Sequence, residues 1–137
     1  MTTLIELATD LIAVFEGCKL TAYKDSGGVW TIGIGHTGPD VVEGLTITPI
    51  QAQALFLKDE AHLINSVLIG FSTSESAALI SFGYNCGLSK MLAVIAGTDS
   101  ILNPVHQTDR HGNVLPGLVS RRNLENSLYN LDGRVSM

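Results

Sequence analysis

The stretch FEGCKLTAYKDSGGVWTIGIGHT, residues 15–37, decides how this chain is read. It opens on the end of a helical pattern, because Leu4, Leu7, Ala8, Leu11, Val14 and Phe15 recur at helical spacing. Thr3 and Glu6 form a T-x-x-E capping box at its start, and Gly17 is a natural stop. Residues 20–23 and 29–32 are short β-prone runs, and the DSGG between them signals a turn, so a small hairpin follows the helix. Further on, Gly33, Gly35 and Gly38 reproduce a G-x-G-x-x-G spacing. A dinucleotide-binding loop needs its third glycine at the start of a helix whose N-terminus holds the pyrophosphate. Here Pro39 and Asp40 follow, no helix opens until Thr48, and the strand before belongs to a hairpin. The glycines are instead expected to alternate along a strand, where another segment or a ligand can approach the backbone closely.

Working outward, Thr48 and Gln51 form a T-x-x-Q box around Pro49 and predict a helix over 48–68. An apolar helix over 74–86 stops at Gly87, a short one over 89–96 stops at Gly97, and a last amphipathic helix runs from 116 or 117 to about 131. Residues 103–117, with Pro104, Gly112 and Pro116, form a long loop. The pattern predicts one α+β domain over 1–137: a hairpin region at about 18–38 packed on a mainly helical body. The chain has 137 residues, 45% of them apolar, enough for a real core.

Charge and composition exclude several functions. The net charge is −5, and the eight Lys and Arg form no run longer than Arg121-Arg122, so the footprint of a nucleic-acid binder is missing. The apolar stretch over 4–15 is broken by Glu6, Thr9 and Asp10 and has no basic region before it, so neither a signal peptide nor a membrane anchor is expected. Cys18 and Cys86 lack CxxC spacing and are expected to be small buried thiols. His62, His106 and His111 do not share metal-ligand spacing on one helix face, and no metal or cofactor is expected.

Two acids frame the hairpin. Glu16 ends its helix beside Phe15, where partial burial and the negative helix end both disfavour its ionised form. Asp25 lies in a polar turn whose N–H groups and water keep it ionised. Two carboxyls in such unlike settings suit a glycosidase, one donating a proton to the leaving oxygen and the other acting on water or the oxocarbenium-like centre. Thr31 adds a hydroxyl for that water. A solvated helix end and an Asx-turn would account for the same two acids.

The whole run resembles the active-site segment of the phage-type lysozymes, the endolysin family of glycoside hydrolases (family 24), whose signature is Glu, eight residues, Asp, five residues, Thr. Those positions are Glu16, Asp25 and Thr31. ALISFGYNCG (78–87) resembles the family's central helix and LPGLVSRRNLENSLY (115–129) its C-terminal G-L-x-x-R-R helix, so the likeness spans nearly the whole chain. It implies a lysozyme-like fold and hydrolysis of the β-1,4 link between N-acetylmuramic acid and N-acetylglucosamine in peptidoglycan. Glu16 would be the general acid, and Asp25 and Thr31 would hold the water for single displacement. Carboxyls about 5–5.5 Å apart would instead favour a covalent intermediate. The resemblance further implies substrate contacts at Thr37 and Gly35, a guanidinium from Arg121 or Arg122 against Glu16, and a structural His36–Asp59 pair. It implies a monomer made in the bacterial cytoplasm that acts on the cell wall, with a holin or another partner for release. Two other classes fit the same likeness: a non-catalytic glycan-binding or structural module, and a lytic transglycosylase. The acidic charge departs from the many basic lysins and bears on which walls are attacked.

Overall fold

The computed structural model describes residues 3–25, 27–64, 71–109 and 111–131. Helix α1 spans Leu4–Glu16. Thr3 Oγ1 accepts the Glu6 N–H at 3.1 Å at its start, and Gly17, with φ +66°, closes it by donating to Ala13 O at 3.1 Å. Three strands follow, β1 (Lys19–Lys24), β2 (Trp30–Gly33) and β3 (His36–Thr37), in an antiparallel sheet of order β1-β2-β3. The expected hairpin therefore gains a third strand, with Thr31 opposite Thr37 and Ile32 opposite His36. The link between them corrects the expectation that the glycines alternate along one strand. Gly33 closes β2 at φ +64° and Gly35 lies in the turn at φ +72°, a left-handed backbone that other residues adopt only at a cost. The outer edge of β1 is tied to the following loop by Ala22 N–H to Leu45 O and Ile47 N–H to Leu20 O, each 2.9 Å.

Helix α2, Pro49–Ile64, starts on its reciprocal box: Thr48 N–H donates to Gln51 Oε1 at 2.9 Å, and Gln51 N–H to Thr48 Oγ1 at 3.1 Å. Its expected continuation to 68 lies outside the described residues. Helix α3, Thr73–Cys86, starts one residue earlier than expected because Ser72 and Glu75 cap it. Helices α4 (Leu88–Ile95) and α5 (Pro116–Tyr129) complete the body. The expected loop over 103–117 contains a 3₁₀ turn at Pro104–Gln107 and a bridge from Thr108 to Val114.

Every residue of α3 from 75 to 83 is buried, as an element surrounded by others must be. It packs against α1, α2, α4 and α5, and the core it centres includes Ala8, Ile12, Phe56, Leu79, Phe82 and Met91. The sheet joins this body through α2, where a Cβ on Gly33 would sit 3.5 Å from Ala52. Both thiols are free, but only Cys86 is partly covered. Cys18 is exposed, contrary to expectation: it lies in the link between the helix stop at Gly17 and the start of β1 at Lys19. Among the described residues, no helix is long and apolar enough to cross a membrane.

Candidate active site

Helix α1 ends by delivering Glu16 into a junction of three elements, with its side chain 18% exposed. From α5, Arg121 Nη1 donates to Glu16 Oε2 at 2.5 Å, and the guanidinium lies 5.3 Å over the Phe15 ring. From the β2–β3 turn, the backbone of Gly35 comes so close that a Cβ there would stand 2.5 Å from Glu16 Oε1. What approaches the glycine turn is thus the Glu16 carboxyl, which fills the space of a missing side chain. Of the two arginines left open by the sequence, Arg121 meets Glu16. Arg122 turns inward instead, with Nε 2.7 Å from Glu125 Oε1 and Nη1 donating to Cys86 Sγ at 2.6 Å. Burial raises the pKa of the Cys86 thiol above its ordinary value despite that cation.

Asp25 is held by its own turn. Its Oδ1 accepts the N–H of Gly27 at 2.8 Å and of Val29 at 2.9 Å. Asp25 and Glu16 line one hollow of about 330 Å³, together with Asn85, Leu118 and Arg121. A second hollow, of about 310 Å³, shares Asp25, Asn85 and Leu118 and continues to Cys86 and Lys90. Thr31 is buried in β2, where its hydroxyl donates to Val29 O at 2.9 Å, and it lines neither hollow. Gly35 and Thr37 line a larger hollow of about 660 Å³ with Lys58, His62 and Tyr84. Glu16 thus lines the first hollow, and its Oε1 abuts Gly35, which lines the 660 Å³ hollow.

His36 is buried at the start of β3 with a carboxylate at each ring nitrogen: Nδ1 lies 2.6 Å from Asp59 Oδ2 and Nε2 2.9 Å from Asp40 Oδ2. Burial alone would lower its pKa, but the bonds to Asp59 and Asp40 outweigh it, so the net shift is upward. Asp40 was not singled out in the sequence, although it lies one turn of chain beyond His36. Tyr84 was missed as well. Its hydroxyl donates to Ile34 O at 2.5 Å and so pins the glycine turn to α3. A third omission is the pair His106–Asp99, at 2.8 Å, in which bonds from Asn103, Ser100 and His106 hold Asp99 down at about 2. Tyr23 and Trp30 are half-buried, each under a lysine ammonium at 5.4 Å, from Lys19 and Lys24 respectively. Among the described residues no group of His, Cys, Asp and Glu could hold a metal ion.

A helix-end glutamate facing a turn aspartate across a cleft, between a small antiparallel sheet and a helical body, places the chain among lysozyme-like α+β proteins. Residues 13–125 match the phage lysozyme family, and the chain belongs to it. Among solved structures it resembles an endolysin from Escherichia coli O157:H7 phage FAHEc1, with a TM-score of 0.71, 28% identity and 93% of each chain covered. It also resembles the muramidase domain of SpmX from Asticaccaulis excentricus, with a TM-score of 0.70, 26% identity and 94% and 98% covered. In sequence it is 33% identical over 101 residues to a SAR-endolysin of Enterobacteria phage PA-2, covering 71% of this chain and 58% of that one. The chain therefore spans little more than half the length of that relative.

Proposed function

We propose that the chain is an N-acetylmuramidase, hydrolysing the β-1,4 bond between N-acetylmuramic acid and N-acetylglucosamine in bacterial peptidoglycan. The observation that carries this reading is the pairing of Glu16 and Asp25 across one hollow, one carboxyl against a guanidinium and the other in a backbone clamp. Glu16 gives its proton to the leaving glycosidic oxygen. Asp25, with Oδ1 fixed by two N–H groups, turns Oδ2 to a water on the opposite face of the sugar. Thr31, buried in β2, donates its hydroxyl to Val29 O, which also accepts the Asp25 N–H, and so steadies the turn that aims Asp25. The displacement is then single and inverting. Gly35 and Thr37 meet the glycan in the larger hollow, and His36 with Asp59 supports the turn that carries them. The chain acts as a monomer, and reaching the wall from the cytoplasm is the task a holin would perform.

The test is clearing of purified peptidoglycan by wild type and Glu16→Gln, with mass spectrometry of the products. New reducing ends from wild type and none from Glu16→Gln support the reading. Ends of the 1,6-anhydro type would mean a lytic transglycosylase, and binding without cleavage a glycan-binding module. Equal clearing by Glu16→Gln would remove Glu16 as the acid.

A further inference from the structure

The last helix carries a carboxylate that touches no solvent. Glu125 is fully buried, and its Oε2 accepts three donors: Ser81 Oγ at 2.5 Å, and Arg121 Nε and Arg122 Nη2 at 3.2 Å each. Arg121 in turn places each nitrogen on a fixed partner. Its Nε goes to Glu125, its Nη2 donates to Ser81 O at 3.1 Å, and its Nη1 is left aimed at Glu16 Oε2. A guanidinium is planar with its donors in a rigid fork, so anchoring two nitrogens fixes the direction of the third.

Such a cluster is a poor choice for stability alone, since apolar side chains of similar volume often do as well as buried ion pairs. Apolar side chains would not, however, hold a cation against Glu16. We propose that Glu125 is a positioning residue: braced by Ser81, it holds Arg121 so that a fixed N–H meets the charge appearing on Glu16 as that group gives up its proton. The role rests on Glu16 being the general acid. Donors aimed in advance at developing charge favour the transition state over bound substrate, so the effect belongs in kcat and not in KM.

The groups facing Glu125 are Arg121 and Arg122 on its own helix and Ser81 and Cys86 on α3. Those facing Glu16 are Arg121, Asp25 across the hollow, Tyr84 of α3 and Tyr23 of β1, and burial shifts both phenols upward, so both stay neutral through the working range. Arg121 is thus the charge through which Glu125 reaches Glu16.

Three variants test the role, each checked for its fold by near-UV circular dichroism and assayed on soluble peptidoglycan fragments across the pH range. Ser81→Ala deletes a hydroxyl and no charge. Glu125→Gln deletes the charge, and Glu125→Gln with Arg122→Met does so without leaving Arg122 unpaired. The double variant should lose kcat about tenfold with KM held, and Ser81→Ala about threefold. In Ser81→Ala, which changes no charge, the basic limb of the profile should move to higher pH, because a loosened Arg121 favours the ionised Glu16 less. Wild-type kcat and pH profile in the folded double variant and in Ser81→Ala would overturn the role and leave Glu125 as a counter-ion for Arg122. Glu16→Gln, run alongside, separates the two readings. If it stays active, the general-acid assignment fails whatever Glu125 does; if it is inactive while the folded variants match wild type, only the positioning role falls.

Discussion

The two carboxylates that share a hollow are held by opposite means. Asp25 is clamped by N–H groups two and four residues along its own turn. Glu16 is met by an arginine 105 positions away, which is itself fixed by partners on two helices. The first arrangement forms wherever the turn forms. The second exists only when α5 has docked on α3 and α1. One cleft thus combines a carboxylate set by its own turn with one that depends on how α5 lies on α1 and α3.

The largest effect should come from Asp25→Asn. An asparagine Oδ1 can accept the same two backbone bonds, so the turn should survive with an unchanged melting temperature while activity falls about 10²-fold or more. A lower melting temperature with activity kept would show that the charge serves the turn and not the reaction. Next comes Gly35→Ala, which attacks the non-local side. The φ of +72° is strained for alanine, and the new Cβ would stand 2.5 Å from Glu16 Oε1. A cost of about 1–3 kcal/mol in stability, measured by urea titration, should accompany a fall in kcat as Glu16 is displaced from Arg121. Stability lost with kcat intact would mean that the contact with Glu16 has no bearing on activity.

The smallest effect joins both modes, because His36 pairs with Asp40 four residues on and with Asp59 twenty-three residues on. Its pKa is shifted upward in the folded protein, so its contribution is complete below the unfolded value of about 6.5 and is lost as pH rises through the folded value. The gap in melting temperature between wild type and His36→Asn should be widest on the acid side of neutrality and narrow in alkaline buffer. Asp40 is largely exposed, so its share is screened. A gap that does not change with pH would assign His36 a packing role alone.

What could be read from the sequence follows the same division. The capping of α1, the box that opens α2 and the turn at Asp25 are local, and each is encoded within a few residues. The motif residues Glu16 and Asp25 do line one hollow. The short strand β3 was not legible, since two residues carry no periodicity. Ser72 was hidden because residues 72–76 offer several hydroxyls as caps. Adjacent arginines on a helix point about 100° apart. Which of them faces Glu16 is decided by how α5 lies on α3, and no stretch of sequence contains that. The same holds for Glu125, which on an amphipathic helix reads as a solvent residue until two arginines and Ser81 enclose it. The direction of the Thr31 hydroxyl, turned along its own strand to Val29, was equally beyond the motif.

The separation of Glu16 from Arg121 also has a meaning in time. A ribosome adding about 5–20 residues per second takes roughly 5–20 s to travel from one to the other. Throughout that interval the emerging chain carries its glutamate without the guanidinium that faces it in the finished fold. The pair of Glu16 and Arg121 cannot form before α5 has been made, and a nascent or truncated chain that lacks this helix is a different electrostatic object from the folded protein.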